Sequence, residues 1–65
     1  MNEHGFKTEV ALNLQGSWLV YYSPAIASLV INQMTGDQPV FLQTFDGHCV
    51  IVNPKLIQVV EVHEL

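Results

Sequence analysis

No charged side chain occurs between Val10 and Gly36, in a chain of only 65 residues. The longest unbroken apolar run in this stretch, Trp18 to Tyr22, is far shorter than the roughly 20 residues that a membrane-spanning helix needs. Polar residues interrupt the rest of the stretch, so we expect no membrane span. The stretch instead predicts strands and a helix face that are buried in a fold or in an assembly.

The chain is short enough to form one domain, residues 1–65, with a mass of 7.3 kDa. A domain of this size hides only about 60% of the surface that its unfolded chain exposes. Hydrophobic residues nevertheless make up 49% of the sequence and charged residues only 12%. One copy cannot bury all of its apolar side chains, and we therefore expect a homo-oligomer.

Residues near the start of the chain alternate between apolar and polar side chains. Thr8, Val10, Leu12 and Leu14 occupy every second position, which predicts a first strand with one face in a core. Gln15-Gly16 interrupts the alternation, and glycine allows the tight reversal of a hairpin. A second strand is expected over Trp18 to Tyr22, and it needs cover on both faces because both are apolar.

The next segment has the features of a helix that lies on a sheet. Ser23-Pro24 is a favourable helix start, because serine caps free N–H groups and proline suits the first helical position. The helix is expected over Pro24 to Met34, and Gly36 is expected to end it in the left-handed conformation. The side chains expected on its buried face are Ile26, Ala27, Val30, Ile31 and Met34.

Three further strands are expected after the helix. The third spans Pro39 to Phe45 and the fourth Cys49 to Val52, joined by a two-residue type I′ turn at Asp46-Gly47. Asn53-Pro54 breaks the fourth strand, and the last strand follows from Ile57 to about His63. The order ββαβββ predicts an α+β fold: a small antiparallel sheet, or a partly open barrel of about five strands, with one helix.

The segment from Phe45 to Glu61 reads FDGHCVIVNPKLIQVVE. It resembles a stretch of the small flagellar proteins of the FlbD type, and also the strand, short turn and strand that end Src-homology-3-like barrels. The likeness covers about a quarter of the chain. In the flagellar family this stretch lies near the start of the chain, whereas here it forms the end. The resemblance implies a hairpin at Asp46-Gly47 and a turn at Asn53-Pro54, and no functional residue is carried over.

The residue types that bind transition metals are His4, His48, Cys49 and His63. Neighbouring residues of a strand point to opposite faces, so His48 and Cys49 do not grip one ion together. No C-x-x-C or H-x-x-x-H pair is present. We therefore expect no metal site and no cofactor, with Cys49 buried as a small apolar side chain.

The sequence also gives no sign of catalysis or of phosphate binding. No nucleophile can be matched with a base at these spacings, and no glycine-rich phosphate-binding motif occurs. The chain is acidic, with 2 Lys and Arg residues against 6 Asp and Glu residues and a net charge of −4. It therefore lacks the basic surface that binding to duplex nucleic acid requires.

The aromatic centre of the chain supplies the candidate contact residues, namely Trp18, Leu19, Tyr21 and Tyr22. Packing in the core, a subunit contact and a stacking platform for a flat ligand are the three roles open to them. We expect a non-enzymatic, homo-oligomeric binding or regulatory protein. The alternatives are a protein that sequesters a small molecule in pockets between subunits and an adaptor that binds another protein.

Two features bear on the compartment. The single cysteine, Cys49, cannot form a disulfide within the chain. The first residues, Met1 to Phe6, carry Glu3 and His4 where a secretory signal would place Lys or Arg. We expect no export signal and a cytoplasmic protein.

Overall fold

A computed structural model describes residues 5–65 of the chain. Within these residues the elements are β1 (Thr8–Leu14), β2 (Ser17–Ser23), α1 (Ala27–Met34), β3 (Val40–Gln43), β4 (Cys49–Val52), a 3-10 turn (Pro54–Leu56) and β5 (Val59–Glu64). The predicted order of five strands and one helix is confirmed. The predicted α+β class is confirmed as well.

The described strands form one antiparallel sheet in the order β4-β3-β2-β1-β5. The sheet is open, because β4 and β5 are its edges and do not pair with each other in the described part of the chain. Of the two predicted forms, the small antiparallel sheet is therefore the one observed. β3 meets β2 at a single residue pair, Tyr22 with Gln43. This narrow junction leaves the first half of β2 without a neighbour on that side.

β1 lies inside the sheet, between β2 and β5, and supplies the centre of the core. Val10 and Leu12 are fully buried, as the alternating pattern predicts. Thr8 is buried too, and its Oγ1 donates a hydrogen bond of 2.7 Å to the carbonyl oxygen of Ala25. The remaining buried core residues are Val30, Met34, Val40, Leu42 and Val52.

The helix is shorter and more exposed than expected. It begins at Ala27 rather than Pro24, because the Ser23 hydroxyl accepts a hydrogen bond of 3.1 Å from the Ala25 N–H in a turn before the helix. Val30 and Met34 are buried. Of the other residues predicted to face the core, Ile26 and Ile31 are exposed and Ala27 is half-buried. A helix of eight residues that lies on one sheet buries only the narrow stripe of side chains four positions apart.

The two hairpin turns differ from the predicted assignment. Positive φ angles at both Gln15 (+52°) and Gly16 (+88°) place the type I′ turn between β1 and β2. In the β3–β4 hairpin, the Gly47 N–H donates to the Thr44 carbonyl at 2.9 Å, and only Gly47 has a positive φ, +95°. The predicted type I′ turn at Asp46-Gly47 is therefore wrong. The loop has three residues, a tight turn followed by a left-handed glycine.

The ends of several other elements also shift. Gly36 does not have the predicted left-handed conformation, and α1 ends at Met34 with the Thr35 N–H still bonded to the Ile31 carbonyl at 3.1 Å. β3 stops at Gln43 because the hairpin turn begins at the next residue. β5 begins two residues later than predicted, because the chain first completes the 3-10 turn.

A side-chain cap fixes the start of the 3-10 turn. The Oδ1 atom of Asn53 accepts a hydrogen bond of 3.1 Å from the Lys55 N–H, and Pro54 occupies the first position of the turn. Proline suits this position because its missing N–H is not needed there. The break that the sequence predicts at Asn53-Pro54 is confirmed.

Candidate interaction surface

The sheet has one face against α1 and one face that no described element covers. Register assigns the side chains, because residues directly opposite each other on paired strands share a face. We call the uncovered side the outer face. Its residues are Glu9, Ala11 and Asn13 of β1, Trp18, Val20 and Tyr22 of β2, Phe41 and Gln43 of β3, Cys49 and Ile51 of β4, and Val59, Glu61 and His63 of β5.

The β2–β4 half of the outer face carries no charge, and most of its side chains are apolar. Phe41 and Ile51 lie opposite each other across the β3–β4 ladder, and each is 68% exposed. Trp18 and Val20 are exposed on β2, and Phe45 is exposed in the β3–β4 loop. We call these five residues the apolar patch. Clustered exposure of this kind marks surfaces that bind another molecule.

The β1–β5 half of the outer face carries charge instead. Glu9 and Glu61 lie there, and the His63 Nε2 atom is 3.2 Å from Glu61 Oε1. β1 and β5 are separated from β4 by three and four strand positions, roughly 14 to 19 Å. This separation exceeds the Debye length of about 8 Å at physiological ionic strength. The carboxylates therefore exert little repulsion at the β4 end of the sheet.

Three aromatic rings join the start of the described chain to β2 and the β3–β4 loop. The ring of Phe6 stacks on that of Tyr22 with centroids 5.4 Å apart, and Phe6 is buried outside the main core. Phe45 meets Tyr22 edge-on at 5.2 Å. One face of the Tyr22 ring is thus already occupied by a neighbouring ring.

The four residues singled out in the sequence lie on two different faces. Trp18 and Tyr22 belong to the outer face, whereas Leu19 and Tyr21 share the helix side with the buried residues of β1. Tyr21 packs against the core, and Leu19 is exposed on the helix side. A single copy therefore does not assemble them into one flat platform. Trp18 shares its face with residues of β3 and β4, and the antiparallel register at Tyr22 and Gln43 places Trp18 towards the β3–β4 loop rather than beside Phe41.

Phe41 and Ile51 were not among the sequence candidates. A signal for them exists, because three of the four residues in β3 and all four in β4 are apolar, so both faces of these strands are apolar. One helix covers only one face of the sheet, and the second face of these strands is left without cover. Applied to β3 and β4, the reasoning used for Trp18 to Tyr22 would have found these two residues.

The expectation that Cys49 is buried is wrong. Its side chain is exposed and forms no disulfide. The reason is its register, since Cys49 lies opposite Gln43 on the outer face and at the edge of the sheet. No described strand pairs with the open side of β4, and no described element covers Cys49 on the outer face.

A small polar cluster in the β3–β4 loop stabilises the turn. The Thr44 hydroxyl donates a hydrogen bond to Asp46, and His48 Nδ1 is 3.5 Å from the Asp46 carboxylate. The hydrogen bond from Thr44, with a smaller contribution from His48, lowers the pKa of Asp46 below its usual value of 3.8. All of these groups belong to one turn, and their hydrogen bonds are explained by it.

An open groove of about 310 Å³ lies beside the start of α1, lined by Phe6, Lys7, Ile26, Ala27, Glu64 and Leu65.

The described residues contain no group of three His, Cys, Asp or Glu side chains that could hold a metal ion. His4, one of the four residues of metal-binding type, lies outside the described residues, as does most of the segment considered for an export signal. No described helix is long and apolar enough to span a membrane.

Comparisons with known proteins assign no function to the chain, so its function is inferred from its surface. No family model matches the chain, no curated protein matches it, and no solved structure matches it. The likeness of Phe45 to Glu61 to flagellar proteins thus remains a local one, which the observed hairpin and 3-10 turn account for.

Proposed function

We propose that the protein is a non-enzymatic, homo-oligomeric binding or regulatory protein whose subunits meet through the apolar patch. The observation that carries the proposal is the uncovered outer face of β2, β3 and β4, which has no charged residue. Water contact with such a surface is unfavourable, at roughly 25 cal/mol per Å² of apolar area. A second copy offers a matching surface.

The distribution of charge supports the same proposal. Two copies of a chain with a net charge of −4 repel each other, so they associate best through the part of the surface that lacks acids. The strands of the apolar patch carry no acid, because Glu9 and Glu61 lie on β1 and β5 and the Asp46 carboxylate lies beyond the strand ends, in the β3–β4 loop. Contact at the patch also keeps these carboxylates in water.

A matched pair of variants tests which surface holds the subunits together. Val20 in the patch is 48% exposed and Ile31 on α1 is 50% exposed, so neither substitution places a lysine in the core of a folded copy. We expect Val20→Lys to dissociate the oligomer and Ile31→Lys to preserve it, as measured by light scattering after size exclusion. Dissociation by Ile31→Lys alone would move the contact to the helix side and contradict the proposal.

The small-molecule alternative has one observation in its favour. Trp18 keeps an exposed ring within the patch, so an oligomer formed there places this ring at a subunit contact, where a flat ligand can stack. Mass spectrometry of the purified protein under native conditions separates the two functions. A stoichiometric small molecule retained by the oligomer and lost in Trp18→Ala would favour the sequestering function.

The compartment also remains a proposal, supported by Cys49. An exposed, unpaired thiol is suited to a reducing compartment, because oxidising compartments convert such groups to disulfides between chains. We therefore propose that the protein acts in the cytoplasm. Fractionation of cells that express the chain with a small epitope tag would test this.

A further inference from the structure

The backbone of β4 has hydrogen-bonding groups that point away from the sheet. In an antiparallel ladder, hydrogen-bonded and non-hydrogen-bonded pairs alternate. The Thr44 N–H donates to the His48 carbonyl at 2.8 Å, which fixes this alternation for the β3–β4 pair. Two residues further along, Val50 is the next residue bonded to β3. The N–H and C=O groups of Cys49 and Ile51 consequently point towards the open edge.

The two edges of the sheet differ in how they are protected. Natural edge strands avoid pairing with other chains by carrying charged side chains, proline or bulges. β5 carries Glu61, His63 and Glu64. β4 reads CVIV and has no charge and no proline along its length. An unprotected edge of four apolar residues is a surface that another strand can join.

We propose that two copies of the chain join through their β4 edges, which pair antiparallel about a two-fold axis and form one continuous ten-stranded sheet. This inference rests on the proposed homo-oligomer and adds an edge-to-edge contact to the face contact proposed at the apolar patch. An antiparallel pair of identical strands is self-complementary, since each copy offers the same outward N–H and C=O groups to the other. No other chain is needed to satisfy the hydrogen bonds of this edge.

Continuity and charge favour a second copy at β4. Pairing there places Ile51 of both copies close together, with Phe41 one strand further in, so these apolar residues of both copies lie on the same face of the joined sheet, where a face contact can cover them. It also leaves the acids of β1 and β5 at the two far ends of the combined sheet. Pairing through β5 would instead bring Glu61 and Glu64 of the two copies together.

Amide hydrogen exchange measured by NMR tests the edge directly. At a total chain concentration a hundredfold above the dissociation constant of the dimer, about 7% of the chains are free, so we expect the amides of Cys49 and Ile51 to exchange roughly 15-fold more slowly than in the dissociated chain. The Val50 amide, which is bonded to β3, is the internal reference for a protected position. Concentration-independent, fast exchange at both Cys49 and Ile51 would overturn the β4 pairing.

The same measurement distinguishes the competing arrangements. The backbone of β2 is also open from Ser17 to Val20, because β3 meets β2 only at Tyr22. Protection at Trp18 and Val20 in place of β4 would move the pairing to β2 and overturn this inference, while the proposed oligomer would stand. A chain that remains a monomer at every concentration would overturn both.

A backbone substitution gives an independent readout. Ile51→Pro removes the outward N–H and spares the ladder with β3, whereas Ile51→Ala removes the side chain and keeps the N–H. We expect the apparent dissociation constant to rise at least tenfold more in Ile51→Pro than in Ile51→Ala. Equal effects in two folded variants, checked by circular dichroism, would contradict strand pairing and leave side-chain contact as the cause of association.

Discussion

Gly47 is the residue at which the backbone conformation most restricts the choice of side chain. Its φ of +95° lies in the region that side chains other than glycine rarely adopt. Gly36 provides a comparison, because it has no positive φ and an added Cβ there would lie 3.5 Å from the Gln33 carbonyl oxygen, an ordinary contact. The two glycines therefore separate the effect of backbone strain from the effect of adding a methyl group.

We expect Gly47→Ala to lower the free energy of unfolding by about 1 kcal/mol or more, the usual penalty for left-handed backbone at a residue with a Cβ. We expect Gly36→Ala to stay within about 0.5 kcal/mol of the unmodified chain. Urea denaturation at one fixed protein concentration measures both values. Equal stabilities of the two variants would contradict a left-handed conformation of Gly47 in the β3–β4 loop.

The carboxylate of Asp46 is the described group with a clear pKa shift. The Thr44 hydroxyl lowers its pKa below 3.8 in the folded chain, so its contribution to stability is present above 3.8 and is lost as the pH falls through the folded pKa. We expect Thr44→Val to raise the pKa of Asp46 towards 3.8 and Thr44→Ser to leave it low. An NMR titration of the side-chain carbon measures this pKa. An unchanged value in Thr44→Val would contradict the assigned cause.

At the scale of elements, the stability of α1 on the sheet depends on a narrow contact. Met34 is buried in the core, whereas Ile31 on the same helix is half exposed. We expect Met34→Ala to lower the free energy of unfolding by about 2 kcal/mol or more, because it leaves a cavity in the core. Ile31→Ala should change it by less than about 0.5 kcal/mol. Chemical denaturation measures both, and similar losses would show that the helix packs through a different face.

Local patterns were sufficient to predict the order of the elements but not all of their ends. The alternation of apolar residues in β1 and the proline after β4 are properties of neighbouring residues, and they predict strands directly. The start of α1 was missed because the Ser23 hydroxyl bonds to the Ala25 N–H in a preceding turn. The same side chain favours a helix cap and such a turn, and only the path of the backbone decides between them.

The candidate surface was predicted only in part, because it depends on long-range pairing. Trp18 and Val20 remain exposed since β3 reaches β2 only at Tyr22, a junction that no local pattern specifies. Phe41 and Ile51 complete the patch through the register of the β3–β4 hairpin. The sequence nevertheless indicates that one copy has more apolar surface than one helix and one sheet can cover.

At the scale of the whole molecule, the apolar and the acidic parts of the outer face are separated. The uncharged half of the outer face lies at the β4 end of the sheet, and the carboxylates of Glu9 and Glu61 lie at the β5 end. Such a molecule can associate through one end and keep the other in water. Its association is expected to persist in high salt, because apolar contact does not depend on attraction between charges.

The mass of the unmodified chain in solution tests the central claim most directly. One copy has a mass of 7.3 kDa, so light scattering coupled to size exclusion distinguishes it readily from a dimer or a larger assembly. We predict a stable species of two or more copies, with a mass at least twice this value, at micromolar concentration. A single species of 7.3 kDa, with no association as the concentration rises, would contradict the account.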